Sequence, residues 1–365
     1  MNIREQFGLD DVNNIMLPDK RYSEHSVYKL ANPDLVVGIE CEVENWPTHM
    51  EYRHTGFHFE NDGSLRNNGM EAITEPTKSK FVPALLESMY KHFNITDANY
   101  SHRCSTHVHV NCQNMTIEQV KLFALLYQVL ERPLFGFIGH DRQDNIFCVP
   151  WSQCNMSVDF AHKFMYDPNF TIREWQKYTA LNLLPLRDRG TVEFRHLEGT
   201  CDVARITAWL NIIGMMHKYA CTHDYNEFKD TILNMNSISN YGAFIEEVLG
   251  EHCAHLISQP NYQEDIALGV VDCKLCMINE KEGTKPKEKP TAQTYARNTE
   301  ALNAWVDEVF ASRVRDIPAA PNSAPPRPPR APIGPLLFGE VPDAMERLRG
   351  EAVIPEPVNP DELDF

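Results

Sequence analysis

Long apolar runs are missing from this chain: no stretch approaches the roughly 20 residues that cross a bilayer, so no membrane span is expected. The opening MNIREQFGLDDVNN lacks the apolar block of a secretory signal. Positive charge is scarce, with 34 Lys and Arg against 51 Asp and Glu and a net charge of -17. That deficit excludes broad electrostatic binding to nucleic acid or anionic membrane. The glycine signatures of phosphate loops and dinucleotide folds, and the Gly-x-Ser-x-Gly of a nucleophile elbow, are absent, as is any internal repeat. The ten Cys are dispersed, and without an export signal they read as reduced thiols in a cytoplasmic protein. A single Cys-x-x-Cys, Cys273 to Cys276, with His252, Cys253 and His255, offers a structural zinc site. One such pair, with helical spacing at the histidines, weighs against it.

What is present is an ordinary globular composition, 42% hydrophobic and 23% charged, enough for one large or two medium domains. Residues 1–30 are polar and read as a leader or edge segment. Leu35 to Glu44 reads as a strand, and Gly56 to Glu60 as another. The turn signal Asn61-Asp62-Gly63-Ser64 then leads to a return strand, Met70 to Thr74. Ser79 is a candidate cap for a helix through about His92, and Thr106 to Asn111 alternates like a strand. Thr116 and Gln119 form a capping box for a helix through about Arg132. Tyr178–Leu186 and Gly190–Leu197 read as a hairpin, and Asp202 caps a long helix from Val203 to Tyr219.

Further helices are expected over Tyr225–Met235, Tyr241–Ser258 and Thr299–Arg315, with a charged linker near 280–290. From Pro318 the chain turns proline-rich, as an extended, disordered tail does. Its one apolar spot, Leu336-Leu337-Phe338, could dock on a protein partner or on the chain itself, though a plain tail is the favoured reading. The expected division is a leader over 1–30, a core over 31–222, a helical region over 223–317 and a tail over 318–365.

The chemistry lies in residues spaced i, i+2 in the strands, which share one face. Glu40 and Glu42 form such a pair, and two adjacent carboxylates repel unless a cation lies between them. Hard oxygen ligands suit Mg²⁺ or Mn²⁺. Glu71 sits inside an apolar strand, where a lone buried acid is costly, so it is a ligand candidate. Asp62 lies in an Asp-Gly turn and reads by itself as a backbone residue. Glu44 belongs at the rim. His107 and His109 form a His-x-His pair suited to two ligands, or to a ligand and a substrate contact. Glu193 and Arg195 are either a structural ion pair or a metal ligand beside a phosphate-neutralising guanidinium. Arg142, Arg187 and Arg189 are further candidates for phosphate contact.

Taken in order, Gly38-Ile39-Glu40-Cys41-Glu42, Asp62-Gly63-Ser64-Leu65, Glu71, His107-Val108-His109 and Thr191-Val192-Glu193-Phe194-Arg195 resemble the amidoligase family. That family belongs to the carboxylate–amine ligases, related to glutamate–cysteine ligase and glutamine synthetase. The stretch from Tyr178 through Asn182 and Arg195 to Asp202 and Trp209 is the most specific part. The resemblance runs from about Leu35 to Ala220.

It implies an α+β fold: a curved antiparallel sheet of the glutamine-synthetase type with helices on its outer face. The concave face is expected to hold ATP and two or three Mg²⁺ (or Mn²⁺) ions. Carried over by position, Glu40, Glu42, Glu71, His107 and Glu193 are metal ligands, with Asp62 a weaker one. Arg195 contacts the γ-phosphate, Arg142 nucleotide or substrate, and Asn182 matches a family Asn placed with the cofactor contacts. His109 is the guess for the base that accepts the amine proton. Cys41, Ser105-Thr106 and Phe147 depart from the family pattern without removing a ligand.

The implied reaction joins a carboxylate to an amine through an acyl phosphate, on small-molecule or peptide substrates. Two other readings compete: a metal-dependent hydrolase built on His-x-His, and a non-catalytic scaffold working through its tail. The excess of carboxylates over imidazoles disfavours the hydrolase. Oligomeric state is open.

Overall fold

A computed structural model describes residues 1–16, 27–46, 53–154, 160–235 and 237–278. The linker near 280–290, the helix over 299–315 and the tail from Pro318 lie outside the described residues. The strands are β1 Val36–Val43, β2 Phe57–Glu60, β3 Met70–Thr74, β4 Thr77–Lys78, β5 Ser105–Asn111, β6 Leu181–Asn182 and β7 Thr191–Glu198. The helices are α1 Ile3–Phe7, α2 Val82–Phe93, α3 Ile117–Ile138, α4 Phe160–Tyr166, α5 Pro168–Arg173 and α6 Pro185–Asp188. They continue as α7 Val203–Thr222, α8 Tyr225–Asn234, α9 Ile238–Leu249, α10 Ala254–Ile257 and α11 Tyr262–Ile278. Among the described residues no helix is long and apolar enough to cross a membrane.

The strands form one open seven-stranded antiparallel sheet in the order β2-β3-β1-β5-β7-β6, with β4 also beside β1. Strand alternation divides its faces. Val37, Ile39, Cys41 and Val43 of β1 enter the core, as do Val108 and Val110 of β5 and Phe194 of β7. Helices α3 and α7 cover this face: the Phe194 ring meets Phe123 of α3 at 5.8 Å and Trp209 of α7 at 6.1 Å. The opposite face carries Glu40, Glu42, Glu71, His107, His109 and Glu193 through cross-strand pairing.

The α3 capping box at Thr116 and Gln119 and the α7 cap at Asp202 form as expected. Ser79 does not cap α2. Its hydroxyl donates to the Asn32 carbonyl at 2.6 Å, and the helix starts where Pro83 fits its first turn. Helix α3 runs on through Pro133 rather than ending at Arg132. Proline cannot donate to the Val129 carbonyl. That carbonyl faces Gly269 of α11, where a Cβ would lie 2.1 Å from the oxygen. The glycine lets α11 close over the gap, and Gln259 donates to the Pro133 carbonyl at 2.9 Å.

The expected hairpin over 178–197 is reduced to Leu181–Asn182 pairing with β7, because Pro185 starts the short helix α6. The expected helix over Tyr241–Ser258 breaks at Gly250, whose φ is +53°, and continues as a 3-10 turn and α10. Helix α11 falls in the helical region expected over 223–317, at residues where the sequence reading placed no individual helix. Its two cysteines, Cys273 and Cys276, are buried in the core.

The first residues are tied to the sheet. Ile3 is fully buried and its N–H donates to the Met115 carbonyl at 2.9 Å. Gln113, also buried, accepts from the Val12 N–H at 3.0 Å and donates to the Asp10 carbonyl at 3.1 Å.

Candidate metal and ligand site

Pairing register assembles the site from residues distant in sequence. Glu42 stands directly opposite Glu71, Glu40 opposite His107, and His109 opposite Glu193. Between β5 and β7 one residue, His107, faces two, Arg195 and His196. This bulge locally re-aims β7 next to the histidine.

The ligand-type atoms fall into three overlapping trios, each within 4.8 Å: Glu40–Glu71–His107, Glu40–His109–Glu193 and Glu42–Asp62–Glu71. Glu40 and Glu71 each belong to two of them. All six residues expected as metal ligands, and His109, are thus brought together. Asp62 keeps its turn role as well, its carboxylate accepting the Ser64 N–H.

Hydrogen bonds fix which atoms face the centre. Ser105 donates its hydroxyl and its N–H to Glu42 Oε2, the latter at 2.7 Å. With that hydroxyl proton committed, Ser105 Oγ accepts from His107 Nε2 at 2.8 Å. His107 Nδ1 therefore points inward, 3.2 Å from Glu40 and 3.5 Å from Glu193. It meets these carboxylates either as a donor or through a cation lying between them.

His109 Nδ1 is 3.0 Å from Thr191 Oγ1. Its Nε2 is buried and pairs with Glu40 Oε1 at 3.0 Å. A buried imidazole nitrogen facing a carboxylate-rich cluster is compatible with a divalent cation. Glu193 accepts from Asn182 Nδ2 at 2.6 Å on one oxygen and from Arg195 on the other.

The electrostatics agree. Burial pushes the Glu71 carboxyl up to about 9, and the charges of Glu40, Glu42 and Asp62 push the same way. Burial also opposes ionisation of Glu40 and Glu193. For Glu40, His109 and His107 outweigh it and hold the carboxyl well below the usual range. For Glu193, His109, His107 and Arg195 do the same.

The arginines differ. Arg195 is buried, with Nε donating to the Phe147 carbonyl at 3.1 Å and its guanidinium 5.8 Å from the exposed Tyr178 ring. Arg142 is buried too, but it donates to the carbonyls of His196 at 2.9 Å and Arg195 at 3.1 Å. It braces the bulge of β7, outside the three trios. Asn182 likewise orients Glu193, its Oδ1 accepting the Leu184 N–H at 3.0 Å. Glu44 is buried away from the rim, accepting the Arg66 N–H at 2.7 Å.

Ser105 was read from the sequence only as a departure from the family pattern. Its i−2 spacing from His107, on the same strand face, is the signal that marks it. The zinc candidates do not assemble: among the described residues no metal-type trio contains His252, Cys253, His255, Cys273 or Cys276.

The class these features define is an antiparallel-sheet protein with a divalent-metal-compatible acidic face. A family model described as "Putative amidoligase enzyme" matches residues 57–214. The match holds Asp62, Glu71, His107, His109, Asn182, Glu193 and Arg195, while Glu40 and Glu42 lie just before it on β1. No curated protein matches the chain.

Proposed function

We propose that this protein is an ATP- and Mg²⁺-dependent ligase that joins a carboxylate to an amine through an acyl phosphate, on a glutamine-synthetase-like sheet. One observation carries this reading: three ligand trios, linked to one another through Glu40 and Glu71, gather at one sheet face with Arg195 beside them. Bound metal ions would polarise phosphate oxygens and offset their charge.

The chain's own residues divide the remaining work. Glu42, Asp62 and Glu71 form an all-oxygen set suited to Mg²⁺. Glu40, His107 and Glu193 supply mixed oxygen and nitrogen donors. Arg195, held by Phe147 and Glu193, presents fixed positive charge toward a transferring phosphoryl group. Arg142 and Asn182 keep Arg195 and Glu193 in place. His109 Nε2 is the group available to accept a proton from the attacking amine.

Calorimetry with a non-hydrolysable ATP analogue, with and without Mg²⁺, tests the reading on wild type, Glu71→Gln and Glu193→Gln. Mg²⁺-dependent binding that both variants lose supports it. Zn²⁺ binding with no nucleotide binding turns the assignment to a hydrolase. A productive assay releases ADP and phosphate only when carboxylate and amine are both present.

A further inference from the structure

Arg189 stands at the mouth of this site, in the turn between α6 and β7. Its side chain is 63% exposed, and its Nη1 lies 3.4 Å from Glu40 Oε1. That same oxygen faces His109 Nε2 at 3.0 Å. Glu40 belongs to two of the three trios, so Arg189 already lies against one of the two shared ligands.

The backbone under Arg189 is fixed. Gly190 has φ +71°, and a Cβ there would lie 2.5 Å from Gln113 Cγ and 3.0 Å from Leu9 Cδ1. Its carbonyl accepts the Cys112 N–H at 2.8 Å. Gln113 Nε2 donates to the Arg189 carbonyl at 3.3 Å while the same side chain holds Asp10 and Val12. Arg189 is therefore a long cationic arm on a rigid base.

Other arginines near the cluster are held in place by protein oxygens. Arg195 and Arg142 bond protein oxygens below the surface. Arg66 folds onto the carbonyls of Gly63, Ser64 and Leu65. Arg187 lies 3.8 Å from Asp188. Two cations close together on one carboxylate repel, so a divalent ion at Glu40 makes the 3.4 Å contact with Arg189 unfavourable.

We propose that Arg189 is a second anion-recognising residue of this site, an exposed arm at its mouth that meets the incoming substrate while Arg195 stays fixed beneath it. It covers Glu40 when no divalent ion is bound. When one binds, the guanidinium turns to an incoming carboxylate or phosphoryl oxygen, which it can grip with two parallel N–H donors. This rests on the metal-dependent ligase reading.

The test is calorimetry on the full chain with Mn²⁺ alone, then with inorganic tripolyphosphate added to the Mn²⁺-loaded protein. Arg189→Ala, an exposed substitution, should bind Mn²⁺ severalfold more tightly because a competing cation is gone. It should bind tripolyphosphate about tenfold more weakly, as loss of a charge-assisted contact does. Arg189→Lys should fall between, since it keeps the charge and loses the fork. If the wild type binds both probes and Arg189→Ala binds tripolyphosphate equally well, this proposal is overturned while the ligase reading stands. If the wild type binds no Mn²⁺, the ligase reading fails and the proposal with it.

Discussion

Ser105 Oγ lies 2.8 Å from His107 Nε2 and donates a hydrogen bond to Glu42, so one hydroxyl connects two ligand-type side chains. It decides which nitrogen of His107 points into the site. Removing such an orienting partner typically costs 10- to 100-fold in metal affinity. Ser105→Ala should lower Mn²⁺ affinity by about that factor, and Ser105→Thr, which keeps the hydroxyl, should restore most of it. Mn²⁺ titration of the three proteins checks this. Equal affinities would make Ser105 a packing residue only.

Glu42 and Glu71 face each other across β1 and β3, with Asp62 beside them. Burial and its acidic neighbours push the Glu71 carboxyl up to about 9, so near neutral pH the metal-free fold must hold it protonated at a cost in stability, and a cation between the two acids removes that cost. Mg²⁺ should therefore raise the thermal midpoint, by an amount equivalent to about 2.7 kcal/mol at a hundred times its Kd. Glu71→Gln should raise the midpoint without metal and cancel the response to Mg²⁺. Thermal melts across a Mg²⁺ series read both effects, and an unchanged response in Glu71→Gln would remove that residue from the ligand set.

How far the sequence reached depends on the range of the interaction. The i, i+2 acids and histidines were legible because strand alternation is a local rule, and Glu40, Glu42, His107 and Glu193 do share a face. The caps at Thr116 and Asp202 were local in the same way. The course of α3 through Pro133 was not legible, because the space that accommodates its Val129 carbonyl comes from Gly269, far along the chain. The same holds for Gln113, whose partners at residues 10, 12 and 189 meet only in the fold. Arg142 and Asn182 were placed with the cofactor contacts from position alone. The structure shows their donors directed at β7, which only tertiary packing decides.

His196 gives a pH dependence. It is fully buried among Tyr127, Phe135 and Trp209. Burial, with Arg142 adding to it, depresses its pKa to about 3. In the unfolded chain the group titrates near 6.5. Its contribution is therefore complete above about pH 6.5 and is lost as pH falls from there toward 3, at up to about 1.4 kcal/mol per unit. Urea unfolding at pH 7, 6 and 5 should show falling stability, with a shallower slope in His196→Phe. Parallel slopes would assign the acid sensitivity to other groups.

Gln113 joins the N-terminal residues to the turn that carries Arg189. Its amide oxygen serves the Val12 N–H, and its amide nitrogen serves the carbonyls of Asp10 and Arg189. Gln113→Ala removes a buried side chain and leaves those backbone groups without their partner. An unsatisfied buried group costs about 1–3 kcal/mol. The variant should lose about that much stability, with faster amide exchange at Val12. Gln113→Glu is the sharper comparison. It keeps the shape and the acceptor for Val12 but replaces a donor with a second oxygen facing two carbonyls. It should therefore be at least as damaging as Gln113→Ala if the donor side matters, and close to wild type if only the contact with Val12 does. Urea melts of the two variants, with exchange at Val12 followed in each, decide which half of the amide holds the turn.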